Sequence, residues 1–108
     1  MSVSPITNNY QPRPLRQPLP VERAFLSRPE TEWTYSHHPH VTVFRGRYLA
    51  MWSNGRRDED APGQRVLMAT SADGREWTPP LPLMDVTRGQ ASDLVLTAAG
   101  WHVAGKTL

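Results

Sequence analysis

The stretch from Ser36 to Trp77 constrains the fold more than any other part of this chain of 108 residues. Three short apolar runs, His40–Phe44, Tyr48–Ser53 and Gln64–Thr70, are separated by the tight-turn signal Arg45-Gly46-Arg47 and by the polar segment Asn54–Gly63. Runs of this length, rich in Val, Thr and aromatics and bounded by Gly, read as strands. Val41 and Val43 share one face and Thr42 and Phe44 the other. In the return strand Tyr48, Ala50 and Trp52 share a face, with Leu49 and Met51 opposite. Both faces are apolar, so this hairpin is expected to lie between two other layers. Ser71–Gly74 is the next turn, Glu76–Thr78 a short outer strand, and Pro79, Pro80 and Pro82 end the unit. The expected fold is all-β, built on one four-stranded sheet.

Composition agrees and excludes several classes. Apolar content of 38% with 11 Pro and 7 Gly suits a turn-rich protein of short strands rather than a helical one. The net charge is only +2, and the arginines are scattered rather than clustered, so nucleic acid is not an expected partner. There is no Cys, which removes disulfides, a thiolate nucleophile and Cys-based metal sites. The N-terminus lacks the apolar core of a signal peptide, and no stretch is long enough to span a bilayer. Read from Met1, the sequence is at face value that of a cytoplasmic protein with no membrane contact.

Residues 1–32 carry Pro5, Pro12, Pro14, Pro18 and Pro20 among polar residues. They form an extended N-terminal arm, either disordered by itself or strapped onto the remainder. Within it, Val21–Leu26 is expected as a short strand or one helical turn. Residues 33–82 form the main unit. Residues 83–108 begin a second, because Asp93-Leu-Val-Leu-Thr-Ala-Ala-Gly-Trp-His-Val-Ala echoes the run that starts at His40, about 53 positions earlier. Blades of a β-propeller recur at about 50 residues. The chain therefore reads as about one complete four-stranded blade plus the first hairpin of a second. Two blades cannot close a ring, so the expectation is an amino-terminal fragment whose remaining blades are partners missing from this chain. Alone, such a fragment should fold poorly or associate through open sheet edges.

Ser71-Ala72-Asp73-Gly74-Arg75-Glu76-Trp77 resembles the Asp-box of sialidase-type propellers, usually Ser/Thr-x-Asp-x-Gly-x-Thr-Trp. Here Gly74 follows Asp73 directly and Glu76 stands where Thr is usual. In such a structural box Ser71 and Asp73 close the turn, Gly74 takes positive φ and Trp77 plugs the sheet behind it. More widely, His37-His38-Pro39, Trp52-Ser53-Asn54-Gly55, Glu59-Asp60 and Gly63-Gln64 look like the opening blade of bacterial BNR-repeat, sialidase-like proteins. The Arg-Ile-Pro triplet of sialidases does not occur, and their nucleophile pair and other arginines belong to later blades.

Propeller topology sorts the polar residues by end. His37 and His38 precede the first strand, Asn54–Gly63 joins the second to the third, and Gln90–Asp93 precedes the second blade, so all three converge at one end. Arg45–Arg47 and the Ser71–Trp77 turn fall at the other. His37 and His38 are candidate acid/base groups, since imidazole titrates near neutrality, with entrance-strand hydrogen bonding as the alternative. Asp60 is the candidate catalytic carboxylate, and Asp58–Asp60 pairing with Arg56, Arg57 and Arg65 is the plainer expectation. Tyr35, Asn54, Glu59, Gln64 and Asp93 are candidate substrate contacts. Asn54 also suits the loop turn, and Trp33 and Tyr35 suit stacking on sugar better than the core aromatics Tyr48 and Trp52. No metal is expected, because the histidine spacing is not that of a zinc motif, and no cofactor is expected.

The resemblance implies a carbohydrate-active propeller, a glycoside hydrolase of exo-sialidase type acting on glycans or polysaccharides. A polysaccharide lyase on the same wheel, with histidine moving the proton beside a uronate carboxylate, is an alternative. A non-catalytic propeller that binds glycan or protein is another.

Overall fold

A computed structural model of the chain describes residue 9, residues 11–13 and residues 16–108. Pro5 and Pro14 of the expected arm lie outside them. The element order is β1 (Tyr35–Phe44), β2 (Arg47–Gly55), β3 (Arg65–Ser71) and β4 (Leu81–Met84). These pair in sequence order as one antiparallel meander, β1-β2-β3-β4.

Register sets the two faces. Val41 pairs with Ala50 and Ala50 with Ala69, while Trp52 pairs with Leu67. This face holds the core of Ala50, Trp52, Leu67 and Ala69, closed by Leu26 of the arm and by Trp77. On the other face Met51 and Val66 pack with Ala98, flanked by Met68, Leu96 and Trp101. β2 is thus covered on both sides, as its two apolar faces require. Truncating Leu67, buried at the centre of its cluster, would cost about 2–5 kcal/mol.

Several expectations change. β1 begins at Tyr35 instead of His40, and its register slips between His37 and His40. Pro39 has no N–H for the ladder, so the strand bulges there rather than starting after it. The outer strand is Leu81–Met84, not Glu76–Thr78. Thr78 still bonds Thr70 through its N–H at 2.9 Å, and its hydroxyl accepts the Thr70 N–H at 2.9 Å. Pro79 and Pro80 then supply no donors, and pairing resumes where Leu81 meets Met68. Pro82 does not end the unit but sits inside β4 opposite Leu67, which an edge strand tolerates. The boundary expected at residue 82 therefore falls within this strand.

Val21–Leu26 forms neither strand nor helix, having no ladder partner. Its anchors are Leu26 on the core and a 2.7 Å ion pair between Glu22 and Arg75. The segment expected as a second hairpin carries only isolated bridges, Arg88 with Asp93 and Ala104 with Thr107. Residues 94–101 instead lie along the first sheet. Leu94 O accepts Gly63 N–H at 3.1 Å and Leu96 N–H donates to Gln64 O at 3.2 Å. Ala98 N–H donates to Ser53 Oγ at 2.9 Å. Val41, Val43, Leu81, Leu83 and Met84 remain exposed along the edge strands.

Candidate functional site

The ends of the strands separate two kinds of polar cluster. At one end Tyr48 pairs with Ser71, and the Ser71–Trp77 turn is closed by its own side chains. Ser71 Oγ donates to Asp73 Oδ1 at 3.1 Å and accepts the Gly74 N–H at 2.8 Å. Asp73 Oδ1 accepts the N–H groups of Arg75 at 2.8 Å and Glu76 at 3.0 Å. These donors, Glu76 first, hold the Asp73 carboxyl below its ordinary pKa of 3.8. Trp77 Nε1 donates to Gly74 O at 3.1 Å, and Gly74 takes φ +76° beneath the Tyr48 ring. Ser71, Asp73 and the Trp77 indole are thus engaged in shaping the turn.

The opposite end is built around Gln64, whose residue is 1% exposed. Its Nε2 donates to Leu96 O at 2.8 Å and to Thr97 Oγ1 at 3.2 Å. A carbonyl only accepts, so the amide is oriented with Oε1 turned the other way. That oxygen accepts the Asp60 N–H at 2.9 Å and meets His37 Nε2 at 2.8 Å. His37 therefore carries a proton on Nε2. Nδ1 is buried without a hydrogen-bond partner among the described residues and lies 3.6 Å from Glu59 Oε2.

His38 joins this group through backbone geometry. Consecutive strand residues point to opposite faces. His38, however, has φ +51° at the bulge, and its ring lies 4.1 Å from that of His37, centroid to centroid. Its Nδ1 is 3.5 Å from Ser53 Oγ, on the same face as His37. Tyr35 meets His37 edge-on at 5.1 Å.

The remaining sequence candidates divide. Asp60 stands beside the cluster with φ +54°, exposed, and its carboxylate makes no bond among the described residues. Asn54 is not in the loop: it lies within β2, one residue before its end, on the opposite face, buried, with Nδ2 donating to Ser36 Oγ and Tyr35 O. Its Oδ1 accepts from Arg65 Nε at 2.9 Å. Asp93 pairs with Arg88 at 3.5 Å rather than reaching His37 or Glu59. The pairing expected of Asp58, Glu59 and Asp60 with Arg56, Arg57 and Arg65 is not formed among the described residues. Arg65 stacks 3.8 Å over Trp33 and Arg56 lies 5.0 Å over the same ring, so Trp33 is covered by guanidinium groups. Asp58 instead accepts the Glu59 N–H at 2.8 Å, which turns Glu59 toward His37. An apolar cavity of about 260 Å³ lies between arm residues 24–27 and Ser36, Pro39 and Trp52. His37 also lines it, so the cavity borders the histidine of the polar end.

A four-stranded antiparallel meander, closed at one end by a structural turn and polar at the other, has the form of a β-propeller blade. A family model described as BT_1020-like, N-terminal beta propeller, matches residues 17–95, which contain the whole sheet. The chain belongs to this family of N-terminal β-propeller domains. No curated protein and no solved structure matches it.

Proposed function

We propose that the polar end of this blade is part of the active site of a carbohydrate-active propeller that hydrolyses glycosidic bonds in glycans. The observation that carries this reading is the gathering of His37, His38, Glu59 and Asp60 around buried Gln64 at one end. Glycosidic cleavage needs one group to protonate the leaving oxygen and another to activate water or attack the sugar. Asp60 is an exposed carboxylate with no competing bond among the described residues, and His38 is an exposed imidazole whose ring lies 4.1 Å from that of its neighbour His37. His37, fixed by Gln64, holds the group in place, and Tyr35 offers a ring at its edge. The likeness of Ser71–Trp77 to a sialidase-type turn supports an exo-acting enzyme on acidic or complex glycans.

The test is the full-length protein on a panel of sialosides and complex glycans, beside His38→Ala and Asp60→Asn. Cleavage lost in Asp60→Asn with binding retained is the expected result. No cleavage by the native protein, together with unaltered glycan binding in His38→Ala, would sink the reading and leave a scaffold or binding blade.

One observation favours polyuronate elimination as a second reading. Two imidazoles stand side by side, ring centroids 4.1 Å apart, with His38 exposed to solvent, an arrangement suited to proton abstraction by His38. Growth of ultraviolet absorbance from an unsaturated product during polyuronate digestion separates elimination from hydrolysis.

A further inference from the structure

Three ligand-bearing side chains meet at the polar end although their sequence spacing is not that of a metal motif. His37, His38 and Glu59 each present one donor atom, and these atoms lie within 4.8 Å of one another. The bulge at Pro39 and the left-handed backbone of His38 bring two consecutive imidazoles to one side of the sheet. A bulge that re-aims a side chain in this way is a device for building a site. The strain of a non-glycine residue at φ +51° points in the same direction.

The electrostatics of His37 are the second observation. Its side chain is 11% exposed, and Nδ1 has no hydrogen-bond partner among the described residues. Gln64 Oε1 takes the Nε2–H, so the ring's other nitrogen, Nδ1, is the atom that faces the Glu59 carboxylate, at 3.6 Å. An imidazole nitrogen and a carboxylate oxygen at this separation leave room for a cation that both can ligate. Donor atoms around a tetrahedral zinc ion, each about 2.0–2.1 Å from it, are about 3.4 Å apart. The imidazole that ligates a metal also commonly donates its other N–H to a carbonyl oxygen, which fixes its tautomer. Gln64 Oε1 does this to His37.

The geometry points to a divalent transition-metal site of the zinc type, held by His37 Nδ1, a ring nitrogen of His38 and the Glu59 carboxylate, with a coordination position left open. Two imidazoles and one carboxylate suit zinc, cobalt or ferrous iron, whereas calcium and magnesium seek oxygen ligands. Glu59 and His38 are exposed, so an ion has a path from solvent and both side chains have freedom to close on it. Asp60 stays outside the donor set, free to carry protons beside the ion. The assignment rests on donor geometry and does not depend on the glycan reading.

The experiment uses the full-length protein stripped with a chelator, titrated with Zn²⁺ by calorimetry and with Co²⁺ by visible absorption. One equivalent of ion per chain, with visible Co²⁺ bands of a four- or five-coordinate site, is expected. Glu59→Gln, at a side chain 57% exposed and therefore without demand on the fold, should weaken Zn²⁺ binding by about tenfold or more. His38→Ala should do the same, with circular dichroism confirming that both variants are folded. Substoichiometric binding, or Zn²⁺ affinity unchanged in Glu59→Gln, overturns the assignment. So do ¹⁵N spectra in which His37 Nδ1 carries a proton and does not respond to Zn²⁺.

Discussion

Trp101 donates its indole N–H to the carbonyl of His40 across 3.2 Å, joining groups 61 residues apart in sequence. The bond fastens the downstream segment to the first strand just past its bulge, on the face where Met51, Val66 and Ala98 pack. Without that segment, Gln64 would lose its Leu96 and Thr97 partners. The blade's polar end is therefore completed by chain that follows the sheet.

This contact sets a graded expectation. Trp101→Phe keeps the ring and loses one hydrogen bond, at a cost of about 1 kcal/mol. Trp101→Ala also removes the packing and should cost about 3 kcal/mol. Urea unfolding of the full-length protein measures both, and amide exchange at Leu96 and Ala98 should quicken more in the alanine variant than in the phenylalanine one.

Gln64→Ala tests the hub itself. The change strands the Asp60 N–H, the Leu96 carbonyl and the His37 Nε2–H together. Each buried group left unpaired costs about 1–3 kcal/mol, so a loss of about 3 kcal/mol or more is expected. Nitrogen NMR of His37 should then show both neutral tautomers, where the native protein shows one. A single unchanged tautomer would mean that Gln64 does not set it.

At the other end, Asp73 makes stability depend on acid pH. Its folded pKa is below the ordinary 3.8 because it accepts the Glu76 and Arg75 N–H groups. The unfolded state thus takes up the proton first as pH falls. The contribution is fully present above the unfolded value and is lost as pH drops below about 4 through the folded one. Melting temperatures of Asp73→Asn should accordingly vary less with pH than those of the native protein over this range. Equal slopes would remove Asp73 from the account.

His38 is expected to trade stability for its placement. An L-residue in the left-handed region costs about 1–2 kcal/mol relative to its right-handed alternative, and glycine escapes that cost. Both His38→Gly and His38→Ala delete the imidazole, so their difference isolates the backbone. His38→Gly should be the more stable by about 1 kcal/mol in chemical unfolding. Equal stability would show that the positive φ at this position relaxes freely.

The sequence alone determined the central hairpin, the third strand and the Ser71–Trp77 turn. Their signals are local: alternation in Val41–Phe44 and Tyr48–Trp52, Gly46 at the tight turn, and Asp73 within reach of the next backbone donors. Local sterics and side-chain periodicity need no distant partner to be read. The outer strand was not legible, because Pro80 and Pro82 argue against a ladder until β3 is known to offer an edge. Nor was the structural fate of Asn54 and Trp33, which depends on Arg65 arriving from the neighbouring strand. The topology of a blade was enough to bring His37, His38 and the Asn54–Gly63 loop to one end. Only tertiary structure made Gln64 their centre, placed Nδ1 of His37 against Glu59, and turned His38 to the same side. Those relations arise from a bulge and from bonds to residues 32 and 33 positions away, distances over which sequence pattern carries no orientation.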